Sequence, residues 1–432
     1  MTKDISLNLD LLSRVEGHGR IVADIADGIL QRAEFQIVEA PRFFEAIMKG
    51  RSIFEAPHIA SRICGICACA HSLASIRAVE DAIGLAPGKQ TLELRRLLLC
   101  MELLDSHLLH INFLILPDLF GVESIFKLAG RHDAVIQRAF RLKKACNDIC
   151  EILVGRHVHP ISCVVGGFTK LPGPDALKTM HRLLQGVRAD LEKMTTLLAG
   201  FEFPDFIRET EFVALVSDND PYPLLSGDIG SSDGVRRPAA QYRSVTNEFL
   251  VAHSAAKHTR LSRDCYAVGA LARLHLNRAG LHSAAKSAAE KLGLSVPCHN
   301  PFLNTPAQLV ESVHCAEEGL LLLENFLAEG VDRGEVVLGG DNETKRIPVK
   351  AGQGVGAIEA PRGLLVHDYL IDEKGLILQA NCVIPTGQNL GNIEADMRKL
   401  VAEVIDRGEA EMTRRLEMLV RAYDPCISCS VH

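Results

Sequence analysis

The 432-residue chain lacks a long hydrophobic run and a cluster of positive charge. Its longest continuous apolar stretches, such as INFLIL at 111–116, are far below the roughly 20 residues that a membrane-spanning helix needs. The 47 Lys and Arg residues are scattered and outnumbered by 54 Asp and Glu residues, which gives a net charge of −7. Because nucleic-acid phosphates bind clustered positive charge, the sequence argues against a nucleic-acid partner as well as against a membrane span.

The sequence also lacks the pattern of a secretory signal, since its first ten residues, MTKDISLNLD, carry acids and no apolar stretch. We therefore expect a cytoplasmic protein in a reducing environment. Cysteine, in contrast, is abundant, with 13 residues at irregular spacing. In a reducing compartment such cysteines are interpreted first as metal ligands or catalytic thiols, and only then as disulfides.

Hydrophobic periodicity predicts a mainly helical chain. Residues 18–38 alternate polar and apolar side chains on both sides of Asp27-Gly28, which is typical of a β-hairpin. Apolar residues recur at helical intervals in 58–84, 91–116, 131–158, 174–199, 238–258, 260–292 and 306–329. Four β-like runs follow, namely EVVLGG, RIPVKAG, GLLVHDYLID and GLILQANCVI, and a last helix is predicted at 391–422.

The predicted fold class is α+β and mainly α, with a central bundle of long helices and a β-rich edge built from N-terminal and late-chain segments. We see no linker long enough to separate independent units, so a single domain is expected over 1–432. Its parts are a β-rich start (1–57), a helical body (58–330), a second β-rich part (331–390), and a terminal helix with a metal-binding tail (391–432).

Two Cys-x-x-Cys pairs lie far apart in the chain, Cys64 and Cys67 in SRICGICACAH, and Cys426 and Cys429 in DPCISCSVH. Each pair can point two thiolates at one ion, and four sulfurs together select zinc, iron or nickel. The pairs could instead be unrelated core thiols, a structural zinc site or a dithiol redox motif. Terminal residues normally fray, so the second pair favours a tail that is held in place by ligation.

Four more segments accompany the cysteine pairs: SRVEGHGRI (13–21), RFFEAIMKGR (42–51), EAPRGLLVHDY (359–369) and ANCVIPTGQN (380–389). Together with R-I-C-G-I-C-x-x-x-H and D-P-C-x-x-C-x-x-H, they resemble the motifs of the large subunit of nickel–iron hydrogenases, in the family's order. Within that family the chain resembles the soluble cytoplasmic group, which is linked to NAD(P), a deazaflavin or heterodisulfide reductase. The helical middle is similar in character only.

The resemblance implies a nickel–iron cluster with carbon monoxide and cyanide on the iron. All four cysteines would bind nickel, and Cys67 and Cys429 would also bind the iron.

A second metal ion, magnesium or sometimes iron, would lie nearby, since oxygen-rich coordination suits a hard cation. Its implied ligands are Glu45, the backbone carbonyl of Cys382, and His432. The implied cofactor contacts are Pro361, Pro385 and Thr386, of which Thr386 would hydrogen-bond a cyanide.

The resemblance also implies catalytic residues. Glu16 would be the proton-relay glutamate, and Arg362 would lie over the open nickel–iron face with Asp424 and Asp118 close by. His71, four residues after Cys67, could donate a hydrogen bond to a ligand sulfur.

Heterolytic cleavage of dihydrogen needs a metal pair and a base, which the terminal thiolate of Cys426 or the guanidinium of Arg362 could supply. Electrons need a separate exit. The other cysteines, such as Cys146 and Cys163, are scattered and offer no further cluster site. We therefore expect an iron–sulfur small subunit as partner, with further flavin or electron-transfer subunits.

Two other functions stay open at this point. A hydrogenase-like subunit of a respiratory complex would share the fold without hydrogenase activity, and a structural zinc protein would serve as an assembly module.

We expect the extra thiol of Cys69 to be a packed small residue rather than a site that affects oxygen tolerance. His107 and His110 lie three residues apart on a predicted helix, and we expect packing or hydrogen bonding from them rather than metal binding.

Overall fold

Long helices form the centre of the fold, and short sheets pack against them. The computed structural model describes residues 4–10, 12–336 and 347–432. Within these ranges the helices are α1 (Phe44–Met48), α2 (Ala56–Ala60), α3 (Ala68–Ile83), α4 (Lys89–Leu109), α5 (Leu116–Phe120), α6 (Asp133–Val154), α7 (Pro174–Leu198), α8 (Arg243–Thr246), α9 (Ala270–Asn277), α10 (Ser283–Lys291), α11 (Asn304–Glu329), α12 (Arg333–Val336), α13 (Pro385–Val404), α14 (Glu409–Ala422) and α15 (Ile427–Ser430). A π-helical segment, His110–Ile115, joins α4 to α5.

The strands of the described residues form four small sheets. They are β1 (Ile5–Leu9), β2 (Gly19–Ala26), β3 (Ile29–Ile37), β4 (Cys163–Val164), β5 (Gly167–Phe168), β6 (Glu211–Val216), β7 (Asp228–Ser231), β8 (Arg236–Arg237), β9 (Tyr266–Ala267), β10 (Gly352–Ala360), β11 (Gly363–Ile371) and β12 (Ile377–Val383). The sheet orders are β1-β2-β3, β10-β11-β12, β4-β5 and β8-β7-β6-β9. All pairings are antiparallel except that of β6 with β9.

The helical centre is built from α4, α6, α7 and α11, which pack on one another through buried leucines. One stretch of the described residues, Lys89–Phe120, is long and apolar enough to cross a bilayer, although its continuous apolar runs are short. In the fold, 78% of its most apolar window is buried. Packing against α6 and α11 therefore accounts for its apolar character.

A seam of small residues joins α3 to β10 and links the first cysteine pair to the Pro361-Arg362 turn. Glycines of β10 lie directly against the backbone of α3, so that a Cβ built on Gly354 or Gly356 would come within 2.2 Å or 2.0 Å of a helix carbonyl oxygen. Only glycine permits this approach. Since α3 starts directly after Cys67 and β10 ends at Ala360, the seam fixes the two segments relative to each other.

The predicted fold class is confirmed, as is the hairpin, in which β2 and β3 pair around a turn with positive φ at Asp27 (52°) and Gly28 (75°). The long helices predicted between 91 and 199 and at 306–329 are also confirmed as α4, α6, α7 and α11. The strands from the two ends of the chain, however, form two separate three-stranded sheets.

Other predicted helices are wrong or shorter. Segment 238–258 contains only single turns, because Pro238 starts one and Asn247, at φ 38°, ends the other. In 260–292 the helices begin only at Ala270, after strand β9. The strands β6 to β9 were not predicted, because the run EFVALV is buried on both faces and shows no alternation.

Four further predicted segments also differ from the structure. The predicted 58–84 helix is interrupted by the first cysteine loop, and 391–422 is two helices separated at Gly408 (φ 87°). Of EVVLGG, Glu335 and Val336 belong to the short helix α12, and its last four residues lie outside the described residues. The late-chain sheet instead begins with β10, whose first residue, Gly352, is the last residue of the predicted run RIPVKAG; Arg346, the first residue of that run, lies outside the described residues.

Gly356→Ala is expected to force α3 and β10 apart, because the new Cβ meets the Ala74 carbonyl oxygen. We expect the free energy of unfolding to fall by about 3 kcal/mol, which is the upper end of the usual cost of overpacking a core. The loss is measured as a lower denaturant or thermal midpoint. Gly186→Ala is the matched control, because that helical glycine has open space around it and alanine is the better helix former. Equal midpoints for Gly356→Ala and the native chain would contradict the seam.

Candidate metal centre and active site

The two cysteine loops meet in the interior. Cys64 and Cys67 occupy the turn between a 3-10 helix (Ser61–Ile63) and α3, while Cys426 and Cys429 lie at the start of α15. A parallel backbone bridge between Glu16 and Cys426 ties the second loop to the N-terminal segment. The tail is therefore built into the core rather than left at the surface.

The four thiols form one buried group, in which all Sγ atoms lie within 4.8 Å of one another. The separations are 3.3 Å for Cys64–Cys426, 3.6 Å for Cys67–Cys429 and 2.7 Å for Cys426–Cys429. Hydrogen bonding with Cys426 and the charge of Arg362 help to lower the pKa of Cys64 well below its usual value. Such a thiolate is the form that binds a metal.

Arg42 connects the two loops directly. Its Nη2 donates to the Ile63 carbonyl oxygen at 2.5 Å and to the Ser428 carbonyl oxygen, and its backbone N–H donates to Val431 at 2.7 Å. One guanidinium thus holds the backbone just before the first pair and inside the second. No signal in the sequence marked Arg42, although it begins the motif RFFEAIMKGR, three residues before Glu45.

Arg362 lies beside the thiols in a fixed orientation. Its Nε donates to the Asp424 carbonyl oxygen at 2.6 Å and its Nη2 to the Asp424 carboxylate at 2.9 Å. Burial opposes the charge, but Asp424 and the cysteines outweigh it and raise the pKa of Arg362, so the side chain stays charged. Its buried Nη1 has no hydrogen-bond partner among the described residues and is free to face a ligand of the site.

Two further side chains hold Asp424 in place. Gln308 donates to its Oδ2 at 3.1 Å, and Gln308 Oε1 lies 2.5 Å from His110 Nδ1. His110 Nε2 in turn lies 2.7 Å from the Arg421 carbonyl oxygen. His107 pairs with Glu311 at 2.7 Å. Both histidines therefore make the hydrogen bonds expected from the sequence.

The turn that carries Arg362 is held from behind by Arg273. This buried guanidinium lies between Glu311 and Glu359 and donates to the carbonyl oxygens of Ala360 and Pro361, each at 3.1 Å. Pro361 lies in this turn, and its carbonyl oxygen is fixed by a residue that carried no signal in the sequence.

A small cavity adjoins the thiols of Cys67, Cys426 and Cys429. It is lined by Cys67, His71, Ala360, Arg362, Leu365, Ile384, Pro385, Thr386, Cys426 and Cys429. The wall is mostly apolar, with Thr386 among its few polar groups. The Thr386 hydroxyl accepts the backbone N–H of Cys426 at 2.9 Å, which also anchors the second loop to the first turn of α13.

Glu45 and His432 approach each other next to Cys382. His432 Nε2 lies 3.4 Å from Glu45 Oε1, and the same oxygen accepts the Cys382 N–H at 2.7 Å. Burial raises the pKa of Glu45, but His432 and the Cys382 N–H together lower it below its ordinary value. An ionised carboxylate is thereby available at the buried end of the tail.

Glu16 binds the second cysteine loop through Ile427 and Ser428. Its Oε2 accepts the Ser428 N–H at 3.1 Å, its Oε1 accepts the Ser428 hydroxyl, and its carbonyl oxygen accepts the Ile427 N–H at 3.0 Å. Gly17 follows at φ 87° with its Cα against Ile427, so a side chain there has no room.

His71 lines the cavity and begins a chain of buried hydrogen bonds. Its Nδ1 lies 3.1 Å from His367 Nε2, and His367 continues to the Tyr369 hydroxyl at 2.7 Å. Burial lowers the pKa of His71 to about 4, so the ring is neutral near pH 7. Cys69 points elsewhere as a buried thiol, and its backbone N–H donates to Glu102 at 2.5 Å.

Among the described residues, Asp118 pairs with two arginines other than Arg362. Its carboxylate pairs with Arg14 at 2.5 Å and with Arg421 at 2.7 Å, and the contacts of the described residues include none between Asp118 and Arg362. Arg421 is three residues before Asp424, so Asp118 reaches the site through α14.

The donor set fits the group that the motifs imply. Four soft sulfurs that converge in a dry interior suit nickel and iron. The free Nη1 of Arg362 and the cavity beside Cys67 and Cys429 leave room for further ligands. Glu45 supplies the hard oxygen that a magnesium ion prefers.

Comparison with known proteins agrees with this geometry. The model of the family described as nickel-dependent hydrogenase matches residues 42–138 and 233–432, which include both cysteine pairs and Arg362. The chain therefore belongs to the nickel-dependent hydrogenase family, and the resemblance drawn from its motifs is confirmed.

Relatives match the chain over nearly its whole length. The alpha subunit of sulfhydrogenase 1 from Pyrococcus furiosus is 34% identical over 99% of this chain and 98% of its own length. The beta subunit of the NAD-reducing hydrogenase HoxS from Cupriavidus necator is 28% identical over 99% and 94%. A crystal structure of an NAD+-reducing [NiFe]-hydrogenase in the H2-reduced state has a TM-score of 0.86, with 26% identity and 99% coverage of both chains.

Arg42→Ala is expected to separate the two cysteine loops, since two carbonyl oxygens lose their common donor. We expect nickel and iron per purified chain to fall at least about tenfold, as measured by elemental analysis, while far-ultraviolet circular dichroism stays native. Arg51→Ala, at a neighbouring exposed arginine, is expected to keep full metal content. Native metal content in Arg42→Ala would show that other contacts suffice to hold the loops.

Proposed function

We propose that this chain is the catalytic subunit of a nickel–iron hydrogenase that cleaves dihydrogen reversibly and heterolytically into protons and electrons. Family membership supports the activity, and the observation that carries the residue assignment is the convergence of four buried thiols beside Arg362. The alternatives raised by the sequence are not favoured: hydrogenases match the chain throughout, and a closed zinc site needs neither the cavity nor the free guanidinium N–H.

In this proposal Cys64, Cys67, Cys426 and Cys429 hold nickel, and Cys67 and Cys429 also hold the iron. When bound, the nickel–iron group, with carbon monoxide and cyanide on its iron, supplies the two-metal site at which dihydrogen is polarised and split. The cavity, which adjoins Cys67 and Cys429 as well as Cys426 but not Cys64, is the space that the small ligands of the iron would occupy in this proposal. Its residues Pro385 and Thr386 would surround the small ligands of the iron, with the Thr386 hydroxyl as hydrogen-bond donor.

Arg362 and Cys426 act on the proton. The charged guanidinium, held by Asp424, places its free Nη1–H beside the sulfurs and can orient a reacting group there. The Sγ of Cys426, assigned as a terminal ligand, takes the proton. The carboxylate of Glu16 is the next proton acceptor in this proposal, because it contacts Ser428, two residues after Cys426 in the same loop. His71, neutral and beside the cavity, would donate to a ligand sulfur.

Glu45, the Cys382 carbonyl and His432 are proposed to hold magnesium, or iron, at the buried end of the tail. The ionised carboxylate of Glu45 and its proximity to His432 support this assignment. Such an ion would cross-link β12, α1 and the tail, and so hold the second cysteine loop closed.

Electrons leave through a partner, in our proposal an iron–sulfur small subunit with further flavin or electron-transfer subunits. All 13 cysteines lie in the described part of the chain, and those outside the four-thiol group form no second cluster of three or more ligands there. The acceptor is chosen by those partners and is NAD(P), a deazaflavin, heterodisulfide reductase or ferredoxin. Each cysteine is a free thiol, which supports a cytoplasmic location.

Cys426→Ser is expected to abolish dihydrogen turnover while leaving the helical body folded, because only one of the four sulfurs is replaced by a harder oxygen. Elemental analysis of the native protein should give nickel and iron near one each, and infrared spectra should show carbon monoxide and cyanide bands. Cys298→Ser, at a half-buried thiol outside the group, should keep both properties. Zinc alone in the native protein would defeat the proposal and favour an assembly module.

Glu16→Gln is expected to slow proton exchange with dihydrogen at least about tenfold, within the range for general acid–base groups, because the amide cannot carry the proton. The measurement is hydrogen–deuterium exchange in the gas phase, beside nickel and iron content, which should stay native. Glu39→Gln, at the neighbouring carboxylate that binds His18, is the control. Loss of metal in Glu16→Gln would instead assign Glu16 a structural role in holding Ser428.

A further inference from the structure

A second group of metal-ligating side chains lies outside the cysteine site. His253, His258 and Glu394 each place one ligand atom within 4.8 Å of the others. The two histidines belong to the irregular segment 247–265, and Glu394 belongs to α13, eight residues and about 12 Å along the helix from Thr386. This group takes no part in the proposed hydrogenase mechanism.

The segment that carries the histidines is held firmly. Phe249 and His258 exchange two backbone hydrogen bonds of 2.9 Å, and the Ala255 N–H donates to the Ile37 carbonyl oxygen at 3.0 Å. Glu394 is fixed as well, since its Oε1 accepts the Phe35 N–H at 3.2 Å. The three side chains therefore converge on a defined backbone rather than on a mobile loop.

A simple ion pair explains only part of the group. His253 Nε2 lies 2.7 Å from Glu394 Oε1, and His253 Nδ1 lies 4.0 Å from Glu34. His258, which is only 3% exposed, takes no part in this pair, and its Nε2 has no hydrogen-bond partner among the described residues. Buried polar atoms are nearly always paired, so this nitrogen calls for a ligand.

Helix α13 passes close to the His258 ring. Gly391, three residues before Glu394 on α13, faces it, and a Cβ at this glycine would lie 3.8 Å from His258 Nδ1 and 3.2 Å from the Cβ of Cys265. Burial lowers the pKa of His258 to about 4, so the ring is neutral near pH 7 and one of its nitrogens carries a free lone pair.

We propose that His253, His258 and Glu394 bind a divalent transition-metal ion of the zinc class. Two imidazoles and one carboxylate are a usual set for an open zinc site, and they suit borderline metals better than magnesium or calcium. The metal replaces the His253–Glu394 hydrogen bond, and the carboxylate of Glu34 lies 4.0 Å from the other ring nitrogen of His253, Nδ1. The side chain of His253 is 22% exposed, which gives an entry path and a position for water as fourth ligand.

The ion would hold segment 247–265 against α13, and residues of the same segment lie near Glu45, which contacts the C-terminal tail. Lys257, next to His258, pairs with Glu248 at 3.5 Å, and both lie close enough to Glu45 to influence its charge or be influenced by it. Metal binding between α13 and segment 247–265 is therefore expected to stabilise the folded chain by mass action. This inference does not depend on the proposed hydrogenase activity.

The test uses the purified native complex with its nickel–iron site loaded. The complex is washed with chelator, equilibrated with Zn2+, passed through a desalting column, and analysed for zinc per chain. We expect one additional zinc per native chain. In His258→Gln, and in His253→Gln at the partly exposed histidine, we expect zinc retention to be at least about tenfold weaker. His181→Gln is the matched control, because His181 and Glu324 form a similar pair at 3.3 Å without a third ligand.

Co2+ in place of Zn2+ distinguishes this site from misloaded cysteines. In the difference spectrum between the complex with and without Co2+, new d–d bands without new thiolate-to-metal charge transfer support the histidine–carboxylate site, and new charge-transfer bands overturn it. Equal zinc retention in His258→Gln and the native complex also overturns the proposal, as does failure of the native complex to retain zinc. Dihydrogen turnover of His258→Gln without added metal should equal that of the native complex, which shows that the variant is folded.

Discussion

The convergence of four cysteine sulfurs in a dry interior is the constraint on which the rest of the structure depends. Burying even one unpaired charge costs several kcal/mol, so a group of thiolates within 4.8 Å of one another requires cations to compensate it. The chain supplies one such cation in Arg362, and the metals of the family supply the others. Arg42, Glu16 and Thr386 then hold the two loops by their backbone groups, which leaves the sulfurs themselves free for ligation.

The architecture around this group is made for rigidity. The glycines of β10 lock α3 to the strand that leads into Arg362, and Arg273 fixes the carbonyl oxygens of the turn itself. The guanidinium and the first cysteine pair are thus parts of one packed unit. The second pair is docked onto this unit through α13 and the N-terminal segment. A preorganised site of this kind needs little rearrangement at the moment of reaction.

Sequence alone was sufficient for the motifs and insufficient for what supports them. Cysteine spacing and the segments around Glu16, Glu45 and Arg362 are short-range signals that can be read along the chain. Gln308 and Arg273 act through contacts across more than 80 residues and carry no local pattern, so nothing in the sequence marked them. The same limit explains segment 238–258, where helical spacing of apolar residues was overridden by Pro238 and by backbone pairing with other parts of the chain. Strand β6 was missed because burial on both faces removes the alternation that identifies a strand.

The widened turn between α4 and α5 has a consequence for how this family can vary. A π-helical turn holds one residue more than an α-helical turn would. Its first residue, His110, reaches Gln308, and Asp118 beyond it reaches Arg421. Removing one residue would rotate everything that follows by about 100° around the helix axis, and Asp118 would then face away from its two arginines. Chain length is therefore under tighter constraint here than side-chain identity, and natural variation should proceed by replacement rather than by deletion.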